Sequence, residues 1–336
     1  MSAKKKLLII GAGLSGMYAA VLLQDKYDVT VLEARERTGG RILNISGHDI
    51  GPSWVWKHQT HILQLIDSLG LECFEQYMHG DSLYDAPGEV QRFSHPLSVP
   101  SYRVKGGISQ IIDALEAALY TPVKTNEKVI SLVYKEGNII LTTEYNRYEA
   151  DKVILTLPPR LALETILYDP PLEAEIEKQF LHIPTWMGYA AKCVIEYPQA
   201  FWREEGLSGF TVSHLGPLGE IHDACTEKKA ALFGFVHSKA SYENIKEDIR
   251  VQLTRLYGKK ASNPLHIYVM DWKKEIFTST KYDAQPLSEH PSYGFNVTHF
   301  DDKLIFSGTE SAFNEGGYLE GAVEKARVVC QRLLSS

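Results

Sequence analysis

The strongest constraint on the fold lies at the start of the chain, where Lys4, Lys5 and Lys6 precede seventeen uncharged residues, Leu7 to Leu23. A basic patch before an apolar run resembles the opening of a signal peptide. A buried strand running into a helix has the same composition. The glycines decide between them: Gly11, Gly13 and Gly16 stand in GxGxxG spacing, which export does not need and which weakens a membrane-spanning helix. The reading is therefore strand (Leu7 to Ile10), glycine turn, and a helix ending near Leu23. A second strand, Asp28 to Leu32, then runs to Glu33. In such a unit Gly11 allows the tight turn and Gly13 lets the backbone approach a pyrophosphate. Gly16 permits close helix–strand packing, and the helix N-terminus favours phosphate charge. An acid at Glu33 accepts hydrogen bonds from ribose hydroxyls and repels an added 2′-phosphate.

Composition then closes off other classes. Net charge is −7, with 35 basic against 42 acidic residues, which argues against a nucleic-acid partner. Cys73, Cys193, Cys225 and Cys330 form no CxxC pair, as expected for reduced thiols of a cytoplasmic protein. No other stretch is apolar enough to span a bilayer, so no membrane association is expected. The pair His58 and His61 lacks a third ligand at a recognisable spacing, so no metal is expected. His214, His222 and Asp223 are not oriented toward one another by anything in the sequence.

Further along, helices are read over 61–69, 108–119 and 242–257, with an irregular stretch over 72–103 between the first two. Strands are read over 128–134, 138–143, 147–150, 152–157, 187–197 and 230–236. Strand 303–306 and helix 321–334 close the chain. Strand–turn–helix at both ends around mixed β structure implies two domains that exchange the chain more than once.

The residues after Glu33 narrow the cofactor. Glu33, Ala34 and Arg35, followed by Gly39, Gly40 and Arg41, resemble a segment of the flavin amine oxidase superfamily. Further similarities are Asp49 to Trp54, Arg103 to Gly107, Val129, and Leu157 to Pro159. Gly308, Thr309 and Glu310, with Gly316 to Ala322, are close to the monoamine oxidases. The resemblance implies an α/β fold, with a Rossmann-like FAD-binding domain interleaved with a smaller α+β substrate domain that holds a mixed or antiparallel sheet. The expected boundaries are 1–71, 102–180 and 276–336 for the FAD domain, and 72–101 and 181–275 for the other. Cofactor contacts are expected from Gly11, Gly13, Leu14, Ser15, Gly16, Glu33, Ala34, Arg35, Gly39, Gly40, Arg41, Trp54, Val129, Trp272, Gly308, Thr309, Glu310, Gly317 and Tyr318.

Three positions carry the chemistry that the resemblance implies. Lys192 matches the lysine that holds a water against the flavin, and its apolar strand suits a desolvated amine. Tyr318 matches one tyrosine of the family's aromatic cage, and Tyr282, ten residues after Trp272, matches the other. The implied reaction is oxidation of an amine, with hydride passing to flavin and dioxygen reduced to hydrogen peroxide. A related flavin oxidoreductase or desaturase acting on a C–C or C–N bond of a ring substrate stays open, as does a flavin-binding module without turnover. Lys281 replaces the cysteine to which mammalian-type relatives attach the flavin, so FAD is expected to be non-covalent. Between residues 72 and 106 the family normally inserts a long helical part of the substrate domain, and only about thirty residues remain here. The pocket is then open, lined differently, or completed by another subunit, which leaves a homo-oligomer among the allowed assemblies.

Overall fold

The structure is a computed structural model and describes residues 3–94 and 99–335. Among these, strands Lys6–Ile10, Asp28–Leu32, Lys152–Leu155 and Leu304–Phe306 pair in parallel, and Thr298–His299 adds an antiparallel edge. Apolar runs form these strands because both faces of the sheet are covered. Leu7 and Ile9 join the core beneath helices Leu14–Leu23, Ser109–Ala117 and Leu319–Ser335. Leu8 and Ile10 point to the opposite core, which holds Phe180, Phe295 and Phe306. The strand period of two thus divides one tetrapeptide between two cores.

The meander Val129–Lys135, Asn138–Thr143 and Arg147–Ala150 lies against that second core, with Leu167–Asp169 on its edge. A third sheet runs in the order His266–Asp271, Ala191–Tyr197, Ala230–Val236, Leu218–Asp223, Leu207–Ser213, Asp81–Ala86, Glu89–Phe93. Helix Ile245–Tyr257 covers one of its faces, taking Cys193, Ile195 and Tyr197 into a core. The alternate residues Lys192, Val194 and Glu196 therefore project from the other face, where Val194 packs with Ala231 and Phe233.

The stretch 72–103 corrects the sequence reading, which expected irregular chain. Hairpin Asp81–Ala86/Glu89–Phe93 extends the third sheet, and Cys73–Glu75 and Val55–Trp56 flank Ser101–Val104 in a small sheet of their own. Polar anchors hide the strand pattern. Asp85 is fully buried, and its carboxylate accepts two hydrogen bonds from Arg255, at 2.5 and 2.6 Å. Gly88, at φ +108°, makes the turn that a side chain would strain. The strand expected from Met187 begins only at Ala191, because Met187 itself sits at φ +58° in a turn. Helix Ala174–His182 and strands Leu207–Ser213, Leu218–Asp223 and His266–Asp271 are further elements that the sequence reading did not identify.

Candidate active site

A cavity of about 390 Å³ runs between the parallel sheet and the face of the third sheet that carries Lys192. At one end its wall is mainly backbone. The turn Gly11–Ser15 leads into helix Leu14–Leu23, and no atom lies within 4 Å of where a Gly13 Cβ would stand. A Cβ on Gly16 would fall 2.0 Å from the Gly11 carbonyl oxygen, so Gly16 packs helix against turn and does not line the cavity. The second glycine pair locks onto the first: Gly39 N donates to Ala12 O at 2.8 Å, and Gly13 and Gly39 form a parallel bridge.

Glu33 is buried at the end of its strand. Its carboxylate accepts hydrogen bonds from Ala12 N at 2.8 Å and Arg35 N at 3.0 Å. Its backbone carbonyl accepts from Glu127 N at 2.8 Å, which brings both lining carboxylates to this end. Ala34, Arg35 and Val129 line the cavity beside them. Arg41 reaches in from the second loop and is held by the fully buried Glu310, at 2.7 and 3.1 Å. Glu310 and Gly308 do not line the cavity themselves; Glu310 orients Arg41, and Gly308 shapes the turn before it. Thr309 and Gly317 do line it.

Rings form the other end. Trp54 meets Trp56 (centroids 6.2 Å apart) and Phe235 (6.4 Å). Tyr318 meets Trp56 at 6.0 Å and Trp186 at 6.1 Å. Gly317, at φ +85°, lets Trp186 lie against the backbone; a Cβ there would come within 2.7 Å of the Trp186 Cβ. Trp272 is buried in the wall, with its Nε1 donating to Ile50 O at 3.4 Å.

Lys192 is buried and also lines the cavity. Its Nζ donates to Gly51 O at 2.9 Å and to the Ser53 hydroxyl, and lies 4.2 Å from the Phe233 ring centre. Burial pulls its pKa down to about 7; the Asp49 carboxylate opposes this and Arg103 adds to it. Burial pushes Asp49 up in turn, against the nearby Lys192 and Arg103 charges.

Tyr282 corrects the sequence reading. It is 58% exposed and does not line the cavity, so it is not the second wall of an aromatic cage. The cause is local. Thr280 and Asp283 form a capping box around the turn Lys281–Asp283, and the buried Asp283 also accepts from Arg160 and from Thr185 N. With Asp283 turned inward, Lys281 and Tyr282 are left facing solvent. Beside Tyr318 stand Trp186, which lines the cavity, and the exposed His290, which does not line it and stacks on Tyr318 with centroids 5.1 Å apart.

Sequence reasoning missed Trp56, Gln59, Glu127, Trp186, Met187, Phe235, Phe277 and Thr278 as lining residues. An isolated tryptophan between Pro184 and Gly188 was the signal available for Trp186. The other polar clusters do not line this cavity. His58 pairs with Glu315, His61 with Arg327, His214 with Tyr84 and His222 with Glu220. Among the described residues no group of three or more His, Cys, Asp or Glu side chains is placed to hold a metal ion. Nor is any helix there long and apolar enough to cross a membrane.

The residues present fit FAD. Two glycine turns lie edge to edge at a helix N-terminus, an oriented carboxylate ends the second strand, and an arginine fixed by a buried glutamate lines the same cavity. Comparison with known proteins agrees. The profile of flavin-containing amine oxidoreductases matches residues 88–334, and that of an NAD(P)-binding Rossmann-like domain matches residues 9–69. Amine oxidase [flavin-containing] B of Mus musculus is 25% identical, and that of Homo sapiens 24%, each over 99% of this chain and 87% of the relative. The mouse alignment runs over 455 positions although this chain has 336 residues, so its shortness lies inside the aligned region. Among solved structures, putrescine oxidase bound to putrescine shares the fold with a TM-score of 0.82 and 24% identity, over 99% of both chains. Cyclohexylamine oxidase from Brevibacterium oxydans IH-35A does so with 0.83 and 20%, over 98% of this chain and all of that one. The chain therefore belongs to the flavin-containing amine oxidoreductases and is an FAD-dependent oxidoreductase.

Proposed function

We propose that the protein oxidises a primary amine to an imine and passes the electrons to dioxygen, releasing hydrogen peroxide. Bound FAD would supply the chemistry for this, accepting hydride from the amine α-carbon and returning two electrons to oxygen. The observation that carries the reading is the cavity's continuity from the glycine turns to the ring cluster, with Lys192 on its wall. In this reading Gly11, Gly13, Leu14, Ser15, Gly39 and Gly40 hold the pyrophosphate, Glu33 the ribose, and Val129 the adenine end. Arg41, fixed by Glu310, reaches toward the pyrophosphate and the flavin. The rings of Trp56, Trp186 and Tyr318 orient a neutral amine and exclude water. Lys192 holds a proton close to the reacting centre; at a pKa of about 7 it is shared between ammonium and amine near neutral pH.

We assign segments 1–71, 102–180 and 276–336 to the cofactor-holding unit, and 72–101 and 181–275 to the substrate side. The third sheet supports this division, drawing all its strands from 81–93 and 191–271. FAD is assigned as non-covalent, because no cysteine of the described residues lines the cavity and Lys281 faces solvent.

The test is to load the protein with FAD and screen primary amines, polyamines and amino acids for peroxide release. Release with at least one amine supports the reading, and a yellow protein inert to every amine contradicts it. Acid precipitation should free the flavin into solution; colour kept in the pellet would show a covalent link. Slower reoxidation by oxygen in Lys192→Met supports the role given to that lysine, and an unchanged rate removes it.

A further inference from the structure

The shortened stretch 72–101 contributes no described side chain to the cavity lining, yet the side chain of Gln76 hydrogen-bonds a lining residue. Trp54 Nε1 donates to Gln76 Oε1 at 2.9 Å. Gln76 is buried, and its Nε2 donates to Asp223 O at 2.8 Å and to Tyr77 O at 3.3 Å. The amide thus has one sensible orientation: flipped, it would set N–H against N–H and oxygen against two carbonyls. Its anchor is firm as well. The Asp223 carboxylate accepts from Trp202 Nε1 at 2.9 Å and from Arg203 at 2.7 and 2.8 Å.

Packing fixes the rest of the Trp54 ring. It stands edge-on to His222 at 4.7 Å, tilted against Phe233 at 5.1 Å, and edge-on to Trp56 at 6.2 Å, while lining the cavity. The indole is therefore a wall held by rings behind it and by a hydrogen bond at its tip. The bond comes from Gln76, in the stretch 72–101.

We propose that Trp54 sets the upper size of the amine that the site accepts, and that Gln76 is the positioning residue holding Trp54 in place. This rests on reading the cavity as an amine site. Without Gln76 the half-buried indole N–H loses its acceptor, the ring turns to find another, and the wall recedes. Trp54 then serves as the stop on the substrate side, in place of a helix.

The test uses FAD-loaded wild type, Trp54→Ala, Trp54→Phe, Gln76→Leu and the double variant Trp54→Phe/Gln76→Leu. Propylamine, cyclohexylamine and 1-naphthylmethylamine serve as small, medium and large probes. Trp54→Ala should raise kcat/KM for the largest amine relative to the smallest by about tenfold. Gln76→Leu should raise the same ratio by about fivefold, mostly through KM. In the Trp54→Phe background, which has no N–H to lose, Gln76→Leu should change the ratio by less than about twofold. A ratio unmoved by Trp54→Ala overturns the wall. An effect of Gln76→Leu as large beside Phe as beside Trp overturns the positioning role. Should Gln76→Leu fail to fold, as judged by flavin content, the two Trp54 variants alone still decide the size prediction.

Dissociation constants for the three amines, read from cavity tryptophan emission, separate this proposal from the oxidase reading. Turnover with an unchanged size ratio in Trp54→Ala removes the wall and leaves the oxidase. Binding without turnover, in a size order that shifts in Trp54→Ala, supports the wall and removes the oxidase.

Discussion

The glycine turns at residues 11–15 and 39–41 and the rings of Trp54, Trp56, Trp186 and Tyr318 line two ends of one cavity, and they are built in opposite ways. At the glycine end the wall is backbone, taken from two short segments and locked by the Gly13–Gly39 bridge. Its shape depends on what is absent, since a Cβ at Gly16 or Gly51 would meet a carbonyl oxygen at 2.0 Å. At the ring end the wall is side chain, gathered from segments far apart in sequence and held by packing and single hydrogen bonds. The glycine end should fail all at once when altered, whereas the ring end should change by degrees.

The contrast is sharpest at Gly16. Gly16→Val should cost about 3 kcal/mol of stability through overpacking against the Gly11 carbonyl, and should abolish FAD binding. Thermal unfolding and flavin absorbance after purification check both. Glu310→Gln removes one side of the bidentate pair with Arg41 and should weaken FAD binding by about 2 kcal/mol, read by flavin titration of the apoprotein. At the ring end, Tyr318→Ala should lower kcat/KM for a preferred amine about tenfold while leaving flavin content unchanged. Loss of flavin in that variant would mean that the two ends are not independent.

Lys192 joins the ends and gives a pH test. Its pKa is about 7 in the folded protein, against about 10.4 in an unfolded chain. Between those values the unfolded state binds the extra proton, so this group makes the wild type more stable as pH rises from 7 to 10. The slope is at most about 1.4 kcal/mol per pH unit, and Lys192→Met should lack it. Denaturant unfolding of both proteins across that range measures the difference. The smallest effect is expected at Tyr282: Tyr282→Ala should change kcat/KM by less than about twofold, since the side chain faces solvent.

The same contrast explains what could be read from the sequence. The first glycine turn and Glu33 are legible because each follows a local rule of backbone geometry or strand ending, whereas Gly39, Gly40 and Arg41 are read through the family resemblance. Lys192 was legible from its apolar strand, whose alternation alone turns it away from Cys193 and Ile195. Tyr282 misled because spacing from Trp272 fixes position along the chain but not direction. The Thr280–Asp283 capping box, itself local, sets the direction and turns the tyrosine outward. Trp186, Phe235 and Gln76 were not legible because their roles come from contacts across the fold. The hairpin at 81–93 stayed hidden because Asp85 occupies a fully buried position, where an apolar residue would have revealed the strand.

The central claim is that a complete cofactor end still serves a working amine site on a reduced substrate side. Anaerobic mixing of FAD-loaded protein with a panel of primary amines tests it most directly. At least one amine should bleach the flavin colour, and admitting oxygen should restore it with release of hydrogen peroxide. A flavin that binds fully yet keeps its colour with every amine would contradict it.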